Sequence, residues 1–307
     1  LSMAITIVGM FLPLFSYNSM TSVTAYALLG IGNAILQVSL NPLLNNVIRS
    51  GNMLTSSLTA GQVVKAISSL LGPEIVLFTV SRFSEDKWYY CFPILGAITL
   101  LSAVWLMFTP IPREDRIEDR ISVKDTFSLL SNKMILLLFL GIFFIVGVDV
   151  ATNYISSKLM TIRFGWTEAQ VKFAPQVYFL CRTIGALLGA FMLAKVDEIK
   201  YFKVNIVACG VSLLLLIFIV SDVMDLVLIG AVGFFASSVF PIIYSVALKK
   251  RPDKANQISG LLITAIAGGG IVTPAIGFSI ANIGITAGVF IVFLCVAYLT
   301  YCAFTIK

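Results

Sequence analysis

Runs of roughly 20 apolar residues recur along almost the whole chain, broken only by short charged or Pro/Gly-containing joints. Backbone N–H and C=O groups have no partner in hydrocarbon except one another, so such runs must be helices. A soluble fold is excluded by composition. Of the 307 residues 59% are hydrophobic and 12% charged, whereas soluble domains carry about 25% charged residues. By length and hydropathy we predict ten spans, at 1–17, 21–46, 53–80, 88–109, 134–158, 169–194, 201–220, 223–248, 255–281 and 284–306. The fold class is therefore all-α integral membrane protein.

One stretch breaks the pattern. Residues 110–133 hold nine charges between Arg113 and Asp125. We read them as a water-exposed linker between a bundle at 1–109 and a second at 134–307. The end of the linker, with Ile121, Val123, Phe127, Leu129 and Leu130 among polar residues, suits either a short amphipathic helix on the membrane surface or an ordinary loop. Placing the linker in the cytoplasm and alternating outward puts 14 Lys and Arg in the inside joints and 5 in the outside joints. The positive-inside bias then sets the C-terminus inside as well. Four spans precede the linker and six follow it. Transporters are often built from two repeated halves, so two further spans are expected before Leu1; a true ten-helix chain is the alternative.

Several function classes drop out. No histidine is present, which removes the commonest metal ligand and proton shuttle. Cys91, Cys181, Cys209, Cys295 and Cys302 lie singly in apolar runs, without metal-ligand or disulfide spacing. No paired carboxylates or nucleophile–base arrangement appears, so an enzyme is not expected, nor a cofactor or metal. The net charge of +6 is spread over topology-setting joints and does not indicate nucleic acid. The expected partners are the lipid bilayer and a small solute, with the chain a monomer.

Polar groups at membrane depth are functional candidates by default. Lys65 lies about 15–18 Å from the cytoplasmic end of its span, too deep to snorkel, with Gln62 one turn before it. It needs a water-filled cavity or an acid partner. Asn33, Gln37 and Asn41 recur at i, i+4 and i+8 on one helix face. Three such amides suit sugar hydroxyls, and they serve equally as glue between helices. Asp149, with Asn153 one turn on, and Arg182 both fall about 18–22 Å above the cytoplasmic face. Equal depth on consecutive antiparallel helices predicts an ion pair, structural or involved in coupling. Gln176 and Tyr244 complete the candidate wall on the second half, with ordinary packing the other reading of Tyr244. Gly268, Gly269 and Gly270, followed by Thr273 and Pro274, mark a closely packed, bendable stretch in the penultimate span. It is not a phosphate loop, because no strand precedes it and no Lys-Ser/Thr follows.

These residues resemble a known family. AIAGGGIVTPAIGF (265–278) is similar to the penultimate helix of the fucose permease family within the major facilitator transporters. FASSVFPIIYSVALKK (235–250) continues the resemblance in order, as do Arg182 with Gly185 and Gly189. GIGNAILQVSLNPLL (30–44) and GQVVKAISSLLGP (61–73) resemble two helices of the first half. The resemblance covers essentially the whole chain, from the family's third helix to its twelfth. It implies a major facilitator fold with ten helices present (4 + 6) of twelve. It also implies alternating-access transport of a monosaccharide such as fucose, glucose or galactose across a bacterial inner membrane, with proton symport as the family's mode. The alternatives are a carrier of another small polar metabolite, a sensor, or an inactive remnant. Two positions depart from the pattern. Gln37 stands where a carboxylate is expected, and an amide takes up no proton near neutral pH. Lys65 stands where an asparagine is expected, and a natural partner for it is an acid on the first helix of the family.

Overall fold

The computed structural model describes residues 1–48, 51–109 and 122–306. The most charged part of the linker, 110–121, lies outside the described residues, as do Arg49 and Lys307. Among the described residues all regular structure is helical. Among the described residues nine helical stretches are long and apolar enough to cross a membrane, and Ser2–Phe15 is a shorter apolar helix preceding them. Large apolar side chains face outward as well as inward: Phe108 is 83% exposed and Phe278 73%. Such a surface is soluble only in lipid.

The helices are α1 (Ser2–Phe15), α2 (Ser19–Val47), α3 (Gly51–Arg82), α4 (Cys91–Phe108), α5 (Val123–Ser128), α6 (Lys133–Phe164), α7 (Glu168–Val171), α8 (Phe173–Leu193), α9 (Glu198–Phe218), α10 (Asp222–Ala236), α11 (Val239–Lys250), α12 (Ala255–Thr264), α13 (Gly268–Asn282) and α14 (Ile285–Thr305). They group into two compact units. One comprises Leu1–Asn41 and Leu71–Ser122, the other Pro42–Leu70 and Val123–Lys307.

In the first unit α1 packs on α2 and α4 through small residues. Gly9 approaches Leu28, Gly96 approaches the Phe11 ring, and Ser2 Oγ donates to the Gly32 carbonyl at 2.8 Å. At one end Tyr17 stacks on Tyr89 with ring centroids 4.3 Å apart, beside Trp88. Amphipathic rings of this kind belong at the membrane–water boundary.

In the second unit α6 is the central element, packed by α8, α11, α13 and α14. Its ends are set by sequence. Asn132 caps the N-terminus, its Oδ1 accepting from Met134 N at 2.9 Å and Ile135 N at 3.3 Å. Gly165 closes the C-terminus with φ +65°, the left-handed conformation that frees the last carbonyls for capping. The linker ends in a short helix, α5, which packs on α12. Leu129 just beyond it is buried, while Val123 and Phe127 stay exposed.

Two spans of this unit are interrupted: α10–α11 at Ser237 and Ser238, and α12–α13 by a 3-10 turn at Ala265–Ala267. The glycines expected to permit close packing are unequal. A Cβ at Gly268 would overlap the Phe143 carbonyl oxygen, and one at Gly269 would come within 2.9 Å of Val150 Cγ2, whereas Gly270 faces open space. The first two let α13 approach the α6 backbone. Thr273 is half-buried and Pro274 exposed on the same helix.

Candidate functional site

The ion pair anticipated from equal depth is present in the second unit. Arg182 Nη2 on α8 lies 2.9 Å from Asp149 Oδ2 on α6. Tyr178, one turn before Arg182 on the same face of α8, donates its hydroxyl to Asp149 Oδ1 at 2.6 Å. Tyr178 is fully buried and Arg182 is 8% exposed, while the Asp149 side chain retains 24%. One carboxylate oxygen is therefore ion-paired and the other accepts a short charge-assisted hydrogen bond from the phenol. A carboxylate and a guanidinium survive here because each matches the other; either alone would be severely penalised.

Lys65 on α3 joins this constellation. Its ammonium lies within electrostatic range of Arg182 and Asp149. Lys65 is an exposed residue on α3. The other polar candidates lie on the same helices. Half-buried Gln62 is one turn before Lys65, half-buried Asn153 one turn after Asp149, and exposed Gln176 lies on α8.

Not every anticipated residue joins them. Tyr244 on α11 is fully buried, its hydroxyl paired with that of Ser259 and its ring 5.8 Å from Phe240. It packs in this conformation and offers no open surface to a solute. The amide row of α2 belongs to the first unit except beyond Asn41. There Gln37 Nε2 donates to Asn33 Oδ1 at 3.1 Å, so the row is partly satisfied within its own helix, with Asn41 half-buried below it.

The sequence reading missed two further clusters. The first lies where α3 begins. The Thr55 hydroxyl donates to the Glu198 carboxylate and lies 2.6 Å from the Ser245 hydroxyl. Lys249 Nζ reaches both Glu198 oxygens at 2.8 Å. Beside it Ser56 Oγ donates to the Ala190 carbonyl at 2.7 Å. The start of α3 is thus tied to α8, α9 and α11. The second cluster lies at the end of α6. Arg163 Nη1 donates to the carbonyls of Leu216 at 2.9 Å and Ile219 at 3.3 Å, and to Asp225 Oδ2 at 2.9 Å. Arg163 therefore fastens the end of α9 to the start of α10.

This architecture has a family. The Major Facilitator Superfamily profile matches residues 1–274, and the chain belongs to that superfamily, which is one of transporters and not of enzymes. Among curated proteins it is 26% identical to the glucose/galactose transporter of Brucella abortus biovar 1 (strain 9-941), over 95% of this chain and 73% of that protein. Among solved structures it resembles the E. coli fucose:proton symporter FucP, with a TM-score of 0.83 and 20% identity over 100% of this chain and 82% of that one. The proton:xylose symporter XylE gives a TM-score of 0.76 at 14% identity, over 99% of this chain and 79% of that one. These structural likenesses establish the fold. The resemblance read from GGGIVTP and its neighbouring segments is thereby upheld.

Proposed function

We propose that the protein is a secondary carrier of a monosaccharide, of the glucose, galactose or fucose type, working by alternating access in a bacterial inner membrane with its C-terminus in the cytoplasm. The observation that carries this reading is the Asp149–Arg182 pair held between two apolar spans, with the exposed Lys65 in the same unit. The named activity of the Brucella relative supports the substrate class. Gln62, Asn153 and Gln176 supply hydroxyl partners on this reading. Gly268 and Gly269 let α13 slide against α6 without a gap, and interrupted helices are typical of transporter sites.

If transport is coupled to protons, Asp149 is the acid we assign to it. Both its oxygens are engaged, so protonation requires Arg182 or Tyr178 to let go. Coupling then follows from competition between a proton and the guanidinium for one carboxylate.

Counterflow in proteoliposomes tests the carrier reading. Vesicles preloaded with unlabelled galactose are expected to accumulate labelled galactose transiently, with saturation and without ATP. No exchange of any hexose, or conduction that does not saturate, would reject it.

A further inference from the structure

The cluster at the start of α3 is built differently from the Arg163–Asp225 tie. By sequence Thr55 and Ser56 belong to the half before the linker, yet Pro42–Leu70 packs into the second unit. Among the described residues, the hydrogen bonds attaching this segment to the half after the linker run through two neutral hydroxyls. Thr55 has one hydroxyl proton, which goes to the Glu198 carboxylate. Its oxygen lies 2.6 Å from Ser245 Oγ and 3.4 Å from Lys249 Nζ. Ser56 Oγ donates to the Ala190 carbonyl at 2.7 Å. Glu198 and Lys249 already satisfy each other, with Nζ 2.8 Å from both carboxylate oxygens, and both lie in the half after the linker. Withdrawing Thr55 therefore strands no charge. Their side chains are 14% and 29% exposed, so water can replace the departing hydroxyl. Arg163 and Asp225 have no such escape, because parting them leaves two buried ions unmatched.

From this asymmetry we infer that the Thr55 attachment is a releasable latch, which parts in each transport cycle while the Glu198–Lys249 pair stays intact. The inference rests on the alternating-access reading above and assigns residues to one of its gates. The cluster gathers helix ends: Thr55 stands near the start of α3, Glu198 at the start of α9 and Lys249 at the end of α11. It therefore closes one end of the carrier, the cytoplasmic end in the proposed orientation. Ser245, fully buried against Thr55, is uncovered each time the latch parts. Thr55 acts as a positioning residue and touches no solute.

The test is a reversible cross-link in proteoliposomes of the whole protein. Thr55→Cys combined with Ser245→Cys puts two sulfurs where the oxygens now lie 2.6 Å apart, so mild oxidation should join them. Counterflow of labelled galactose is expected to fall to background on oxidation and to return on reduction, with neither single variant responding to the oxidant. Undiminished exchange by the fully cross-linked protein overturns the inference, makes the contact a permanent tie, and leaves the carrier reading standing. Oxidation that yields no cross-link overturns it too, since the two positions then do not meet as a latch requires. If the unsubstituted protein exchanges no hexose, the carrier reading falls and the inference with it. Should the double variant fail to fold, or to exchange when reduced, Ser245→Cys alone decides. A charged thiol reagent present on both sides of the membrane is expected to label it during galactose exchange. Adding Thr55→Val, which removes the bond to the carboxylate, should speed labelling by about tenfold or more, the scale of one hydrogen bond to a charged group. No labelling through sustained exchange, or a rate that Thr55→Val leaves unchanged, overturns the inference.

Discussion

Asp225→Leu is expected to destabilise the protein by about 3–5 kcal/mol, the usual cost of removing one partner of a buried ion pair. Asp225 is fully buried and Arg163 only 8% exposed at the side chain. After the substitution Arg163 keeps the Leu216 and Ile219 carbonyls but loses the charge that matches it. Asp225 itself is not perfectly housed, since its Oδ1 is buried without a hydrogen-bond partner among the described residues. For that reason the double substitution Arg163→Met with Asp225→Leu should recover much of the loss, because two apolar side chains replace an imperfect pair. Thermal unfolding of the purified protein in detergent, carried through the full double-mutant cycle, measures the coupling. Single and double substitutions that each change stability by under about 0.5 kcal/mol would show that this clamp holds nothing.

The second large effect falls on transport. Asp149→Ala leaves the Arg182 charge unmatched and the buried Tyr178 hydroxyl without its acceptor. Exchange should fall by roughly two hundredfold to several thousandfold, the equivalent of the 3–5 kcal/mol of a broken buried pair. The more telling protein is the double variant, Asp149→Asn with Arg182→Gln. It removes both charges and restores hydrogen-bonding partners, so stability should return towards that of the parent. Exchange should not return, because two amides cannot be drawn apart by a proton or turned towards a solute as the ions can. A stable double variant that exchanges sugar at the parental rate would make the pair a structural tie and nothing more.

The sequence revealed what depends on local pattern. Apolar run length gave the spans, and the depth of Asp149 and Arg182 within consecutive runs gave their pairing. Tyr178 was hidden because a phenol in QVYFLCR looks like one more packing aromatic. Its spacing of four from Arg182, on one face of a helix, was the available signal. Asp225 escaped notice because it lies near the start of its span, where an acid reads as a solvated end. The Thr55, Glu198, Ser245 and Lys249 cluster joins residues 143 and 190 positions apart, and no periodicity encodes such a meeting. Tyr244 left sugar stacking and ordinary packing both open. Its proline-flanked aromatic setting suits sugar stacking, yet the same residues close over it.

The account stands or falls on whether water reaches the middle of the second unit. In Lys65→Cys, reaction with a charged, membrane-impermeant thiol reagent measures this directly, read against the unsubstituted protein, whose five cysteines are buried or half-buried. The expected result is rapid modification at position 65 above that background, slowed by saturating hexose. If only a lipid-soluble maleimide reacts there and the charged reagent does not, the cluster is dry, and a carrier site at Asp149, Arg182 and Lys65 is contradicted.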